Sequence, residues 1–120
     1  MDSRIESVGE SRSLALFIRE HLPLPEPQVE IHDARGLVGR VDFLWREKRT
    51  VGEFDGRIKY GRLVPAGLSA EDVLWNEKLR EDRLRDAGWQ VARWTWSDLS
   101  TPSVVAGRIT AAFSRGPVRY

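Results

Sequence analysis

Glu53 and Asp55 stand two residues apart in the run VGEFDGRIKY, residues 51–60, and Lys59 follows closely. In a strand, positions i and i+2 share a face. Two carboxylates on one face of a small sheet are either solvated or gathered around something positive. A third joins them if GLVGRVDFLW, residues 36–45, pairs with TVGEFD across the turn REKR. With Trp45 facing Thr50, Leu44 falls across from Val51, Asp42 from Glu53 and Arg40 from Asp55. A slip of one residue puts Asp42 against Gly52 or Phe54 and reverses its face. The first register is expected, because it keeps Leu44 with Val51 and sends Phe43 and Trp45 to the opposite face. Like charges directly opposite destabilise a sheet. Asp42 and Glu53 therefore need a compensating cation, supplied by neighbouring arginines or by a divalent metal. Hard metals take oxygen ligands, and Mg²⁺ is often held by one or two protein carboxylates.

Glu10 is a further candidate. It lies four residues before Leu14 and eight before Ile18, which predicts that it shares the inward stripe of a helix. In one reading it closes a capping box with Ser7; in the other its carboxylate hangs over the sheet near Asp42. Lys59 is either a solvated loop cation or a group that reaches a scissile phosphate. His21 and His32 are isolated. No Ser-His-Asp set, phosphate-binding glycine loop or zinc motif is present.

These side chains need a sheet and helices to hold them. SVGE, residues 7–10, predicts a helix start at Ser7 running to about His21, with Leu14, Phe17, Ile18 and His21 or Leu22 as its apolar stripe. Pro23, Pro25 and Pro27 stop it. QVEIHD is a short strand, and the hairpin of residues 36–45 and 50–55 follows. Gly56 breaks the third strand. Residues 61–69 read as a loop, after which Ser69 caps a helix from about Ala70 to Ala87 with Gly88 at its end. WQVARWTW is a fourth strand, and Thr101 and Pro102 open a last helix. The expected fold is α/β, in the order αβββαβα. An antiparallel meander of three strands takes a fourth, parallel strand after a right-handed helical crossover.

The 120 residues suffice for one domain. Charged residues are 31% and hydrophobic residues 41%, a globular balance. No apolar run has membrane-spanning length. Cysteine is absent, which excludes disulfides and thiolate metal sites and suits a cytoplasmic location. The net charge of +1 gives no global pull toward nucleic acid. Locally, however, Arg35, Arg40, Arg46, Arg49, Arg57 and Arg62 crowd the central segment, and the arginine fork suits phosphate. The plainer alternative is a solvated charged surface. Trp94 and Trp96 alternate on the fourth strand while Trp75 and Trp89 flank a helix. All four are expected to pack between layers rather than stack on bases.

RVDFLW, VGEFDGRIKYGRL and LWNEKLREDRLRDAGWQVARWTWSDL together resemble the actinobacterial DUF559-like endonuclease domains. These are related to very-short-patch-repair endonucleases, within the restriction-endonuclease-like, PD-(D/E)XK, superfamily. The opening ESVGESRS fits too, and the resemblance covers roughly residues 5–113. It implies a metal-dependent DNA endonuclease, hydrolysing phosphodiesters with Mg²⁺ or Mn²⁺ in DNA repair, phage defence or a toxin–antitoxin-related system. The alternative is a nuclease fold that has lost catalysis and serves as a DNA-binding or regulatory module. By resemblance Asp42 and Glu53 match the two acidic motif positions, with Asp55 as a third metal-site candidate. Asp55 stands where the family has lysine, so Lys59 or Lys78 would take over that role. Glu10 matches the helix-borne acid, and Glu77 with Lys78 the Glu-Lys pair. For Glu77 and Lys78 the plainer alternative is a salt-bridged helix surface, such as Lys78 with Asp82. Arg40, Arg57 and Arg62 are candidates for phosphate contacts along duplex or single-stranded DNA. A homodimer could cut both strands. In many relatives this domain follows a winged-helix segment resembling the antitoxin of an abortive-infection system, so the chain is expected to be an excised or stand-alone domain.

Overall fold

The computed structural model describes residues 3–56 and 69–115, with side chains at 7–56, 69 and 71–115. Helix α1 (Ser3–Arg19) leads into strands β1 (Glu26–Asp33), β2 (Gly36–Trp45) and β3 (Thr50–Asp55). Helix α2 (Ala70–Asp86) precedes β4 (Gln90–Thr95), which is followed by the short α3 (Trp96–Leu99) and by α4 (Pro102–Arg115). The sheet order is β1-β2-β3-β4, antiparallel across the first three strands and parallel between β3 and β4. The expected mixed α/β architecture is present, with α3 added.

Trp96 was expected on the last strand but opens α3 instead. A capping box ends the strand there. Thr95 N–H donates to Asp98 Oδ2 at 2.9 Å, and Thr95 is the N-cap. Helix α1 also starts earlier than SVGE suggested, so Ser7 and Glu10 lie inside it and no capping box forms between them. Its buried stripe is Gly9, Ser13, Leu16 and Phe17, while Ile18 faces out. The stripe is rotated because α1 approaches the sheet through its small residues. A Cβ at Gly9 would lie 2.1 Å from the Phe54 ring.

Helices α1, α3 and α4 cover one face of the sheet. Leu16, Phe17, Leu99, Val105 and Ile109 pack there on Phe43, Trp45, Phe54, Ala92 and Trp94. Phe17 meets Phe43, Trp45 and Trp94 edge-on, at centroid distances of 5.1, 5.1 and 5.7 Å. Such aromatic contacts add to the stabilisation from apolar burial alone. On the other face Leu84 of α2, together with Trp89, closes over Leu44, Val51 and Val91.

The end of α2 is fixed by local chemistry. Gly88 takes a φ of +95°, which a side chain would disfavour. Trp89 N–H reaches Leu84 O at 3.0 Å and Gly88 N–H reaches Arg85 O at 2.9 Å, the paired bonds of a Schellman cap. Arg49, from the β2–β3 turn, donates to Ala87 O at 2.8 Å and lies 3.8 Å from the centroid of the Trp89 ring. The helix end and the hairpin are thereby joined.

Ser13 and Trp94 are both fully buried, and they satisfy each other. The Trp94 indole donates to Ser13 Oγ at 2.9 Å, and Ser13 donates to Gly9 O at 2.7 Å. Ser13→Ala leaves the buried indole N–H without its acceptor. The expected loss of stability is about 1–3 kcal/mol, read by chemical denaturation. A change within a few tenths of a kcal/mol would show that this bond is not what holds α1 to β4.

Candidate functional site

The site begins where β2 and β3 part. Their ladder runs Trp45↔Thr50, Leu44↔Val51 and Phe43↔Gly52, the register expected from the sequence. It stops before Asp42 and Glu53, so these two do not form the predicted cross-strand pair. Phe54 N–H instead donates to Asp42 Oδ2 at 2.9 Å. A side-chain carboxylate has taken the place of a strand carbonyl, which eases the like-charge opposition. Arg40 is likewise paired across β1, with Glu30, rather than with Asp55.

Glu53 continues the β3 face that carries Val51, toward α2. It lies level with Arg93 in the parallel ladder to β4. Arg80 of α2 grips it with both fork nitrogens, Nη1 to Oε1 at 2.7 Å and Nη2 to Oε2 at 3.0 Å. Arg80 Nη2 also donates to Arg40 O at 2.9 Å. Arg93 Nη2 stands 3.5 Å from Glu53 Oε1, and its Nε is 3.1 Å from Glu81 Oε1 without hydrogen-bond alignment. Glu81 is bound in turn by Arg85 at 3.0 Å. The compensating cation for Glu53 is therefore arginine. Its side chain is 15% exposed and that of Arg80 is 26% exposed, so the pair lies largely out of water. Breaking it costs more than the ~0–1 kcal/mol of a surface pair.

Asp55 follows on β3, level with Thr95. Both Asp42 and Asp55 are half-buried and engaged in contacts. Glu10 hydrogen-bonds to the side chain of Gln28 on β1. Gln28 falls between the residues paired with Phe43 and Val41, so α1 brings Glu10 to the level of Asp42 along the sheet. Among the described residues no three Asp, Glu or His side chains converge on one point. The expected metal set of Asp42, Glu53 and Asp55 is thus not gathered as three ligands.

Helix α2 separates the Glu77–Lys78 pair. Glu77 is half-buried and engaged, and lies seven residues before the buried Leu84, on the same stripe as Arg80. Lys78 points outward, 3.6 Å from Asp82, and is 64% exposed. That is the salt-bridged surface reading, and it removes Lys78 from the vicinity of Glu53. Arg40 is exposed at the rim. Arg57, Lys59 and Arg62 lie outside the described residues. Trp75 is not a packing residue as expected. With Leu74 and Leu79 it stands on the solvent side of α2.

Arg80 and Arg93 were not singled out from the sequence, although a signal existed. Arg93 alternates with Val91 on a strand whose Val91 face is buried. Arg80 sits four residues before the fully buried Leu84. A charge on an inward face predicts a buried partner.

The donor chemistry suits a hard divalent cation, since Asp42 and Glu53 offer carboxylate oxygens only. A cation already rests against Glu53 as the Arg80 guanidinium. In general a Mg²⁺ site needs only one or two protein carboxylates, its other ligands being water or phosphate.

No family model and no solved structure matches the chain. It is similar to uncharacterized proteins of two Mycobacterium tuberculosis strains, 31% identical to each over 115 residues. The match takes in 95% of this chain and 40% of each relative, so the chain spans well under half the length of these curated relatives. Among the described residues no helix is long and apolar enough to cross a membrane.

A second arginine clamp braces the site from the edge of the sheet. Arg83 of α2 binds Asp33 at the end of β1, Nη2 to Oδ1 at 2.7 Å and Nε to Oδ2 at 2.9 Å. The Arg83 guanidinium holds the Asp33 carboxyl at about 2, below its ordinary 3.8, against the opposing effect of burial and with help from the Arg35 N–H. The folded value is depressed, so this stabilisation is whole above the unfolded value of 3.8 and fades as pH falls toward about 2. Thermal unfolding of wild type should therefore lose ground across that window more steeply than Asp33→Asn. Parallel pH profiles for the two proteins would rule out the clamp as a source of acid sensitivity.

Proposed function

We propose that this chain is a metal-dependent DNA endonuclease domain of the restriction-endonuclease-like kind, acting on phosphodiesters. The observation that carries the reading is the acidic fork, with Asp42 and Glu53 on adjacent strands at the point where the ladder between them ends. The αβββαβα order and the resemblance of RVDFLW and VGEFDGRIKY to that superfamily support it.

Asp42 and Glu53 would hold Mg²⁺ or Mn²⁺, with Asp55 close by on β3. An ion held there would supply Lewis-acid chemistry toward the phosphate and the attacking water. The chain's own residues do the rest. The hydrogen bond from Phe54 N–H fixes the Asp42 carboxylate on the fork. Glu10, tied to Gln28, borders the same level of the sheet. Lys59 is the remaining lysine for steering water or stabilising charge on the reacting phosphate. Arg40, Arg57 and Arg62 would contact the strand backbone, which positions DNA without reading sequence.

A second reading, a nuclease fold serving as a DNA-binding or regulatory module, is favoured by two observations. Glu53 is clamped by arginine, and Asp55 stands where the superfamily places lysine.

Supercoiled plasmid and single-stranded DNA, each incubated with Mg²⁺ or Mn²⁺, separate the two. Cleavage by wild type should fall about a hundredfold or more in both Asp42→Ala and Glu53→Ala, and vanish with chelator. Salt-sensitive DNA binding without any cleavage would support the module instead. Cleavage that survives both substitutions would move the chemistry away from the fork.

A further inference from the structure

Resting on the reading of Glu53 as a metal ligand, we propose that Arg80 is the resident cation of this site and competes with the metal. It caps Glu53 in the free domain and yields the carboxylate to a divalent ion when a DNA phosphate draws its guanidinium away.

Arg80 has a built seat. A Cβ at Gly39 would come within 2.7 Å of Arg80 Nε, so the bare backbone of β2 leaves the side chain its room. Arg40 O accepts from Nη2 at 2.9 Å, and both oxygens of Glu53 are engaged, at 2.7 and 3.0 Å. Arg93 adds a second positive charge at 3.5 Å. A divalent ion binding Glu53 would meet two guanidinium charges at close range in a setting partly withdrawn from water, where repulsion is poorly screened. Metal and Arg80 therefore exclude each other from the carboxylate.

Arginine matches phosphate oxygens as well as carboxylate oxygens, by the same planar fork. An incoming DNA strand thus offers Arg80 a substitute partner. The exchange balances in charge: the guanidinium leaves with a phosphate, and the ion takes the carboxylate. By linkage, DNA and metal each raise the affinity of the domain for the other. The domain is held unloaded until its substrate arrives.

Mn²⁺ titrated calorimetrically into DNA-free protein tests this, with wild type beside Arg80→Ala, Arg80→Gln, and Glu53→Gln combined with Arg80→Ala. Thermal unfolding reports which variants are folded. Arg80→Gln keeps a donor for Arg40 O without the charge, and it carries the test if Arg80→Ala does not fold. Removing the charge should tighten Mn²⁺ binding about tenfold or more, and Glu53→Gln should abolish the gain. A single-stranded oligonucleotide should tighten Mn²⁺ binding by wild type and do little for Arg80→Gln. Unchanged or weaker Mn²⁺ binding in the folded Arg80 variants, or a gain that survives Glu53→Gln, overturns the proposal. Tighter Mn²⁺ binding without plasmid or single-strand cleavage leaves the exchange standing and removes the nuclease reading. Cleavage by wild type with unaltered Mn²⁺ affinity in the Arg80 variants does the reverse.

Discussion

Gly52 has no room for a side chain. A Cβ there would lie 2.7 Å from the Trp45 ring and 2.8 Å from the Trp94 ring, which close over it on the face covered by α1 and α4. This steric limit fixes the sheet. Gly52 must lie opposite Phe43, because a slip of one residue would force Val51 or Glu53 beneath the indoles. With the register fixed, Val51 and Glu53 face α2, and the acidic residues reach the end of the β2–β3 ladder. The aromatic layer thus fixes the level at which Glu53 stands on the opposite face.

The two faces of the sheet are held by different physics. On the aromatic face, interlocking rings and the Ser13–Trp94 hydrogen bond leave little freedom, since close-packed interiors resist small displacements. On the α2 face the apolar contacts gather near Leu84 and Trp89, and among the described residues the ion pairs of Arg80 with Glu53 and Arg83 with Asp33 add to them. Ion pairs exchange partners at lower cost than packed rings repack, provided that another charge is offered. The aromatic face is held by packing, and the α2 face carries charged groups held by ion pairs.

Much of the architecture was legible in local sequence. The Ser69 cap, Gly88 and the Pro102 start delimit helices through backbone hydrogen bonds that depend on neighbouring residues alone. The hairpin register followed from keeping Leu44 with Val51. The failures share a cause. Helix α1 was rotated from its apparent stripe because Gly9 and Ser13, small rather than apolar, are what allow a close approach to Phe54 and Trp94. Trp96 left the strand because Thr95 and Asp98 form a capping box that strand alternation does not register.

The sequence by itself determined the order of elements, the pairing of β2 with β3 and the presence of Asp42 and Glu53 on those two neighbouring strands. Those features depend on residue periods of 2 and 3.6 and on short-range caps. Only the tertiary structure decided the partners of these carboxylates: Phe54 N–H for Asp42, Gln28 for Glu10, Arg80 and Arg93 for Glu53. Arg80 is 27 residues from Glu53 in sequence, and no local pattern carries that distance. Packing of Leu84 and Trp89 on the strands below seats α2 where the two charges meet.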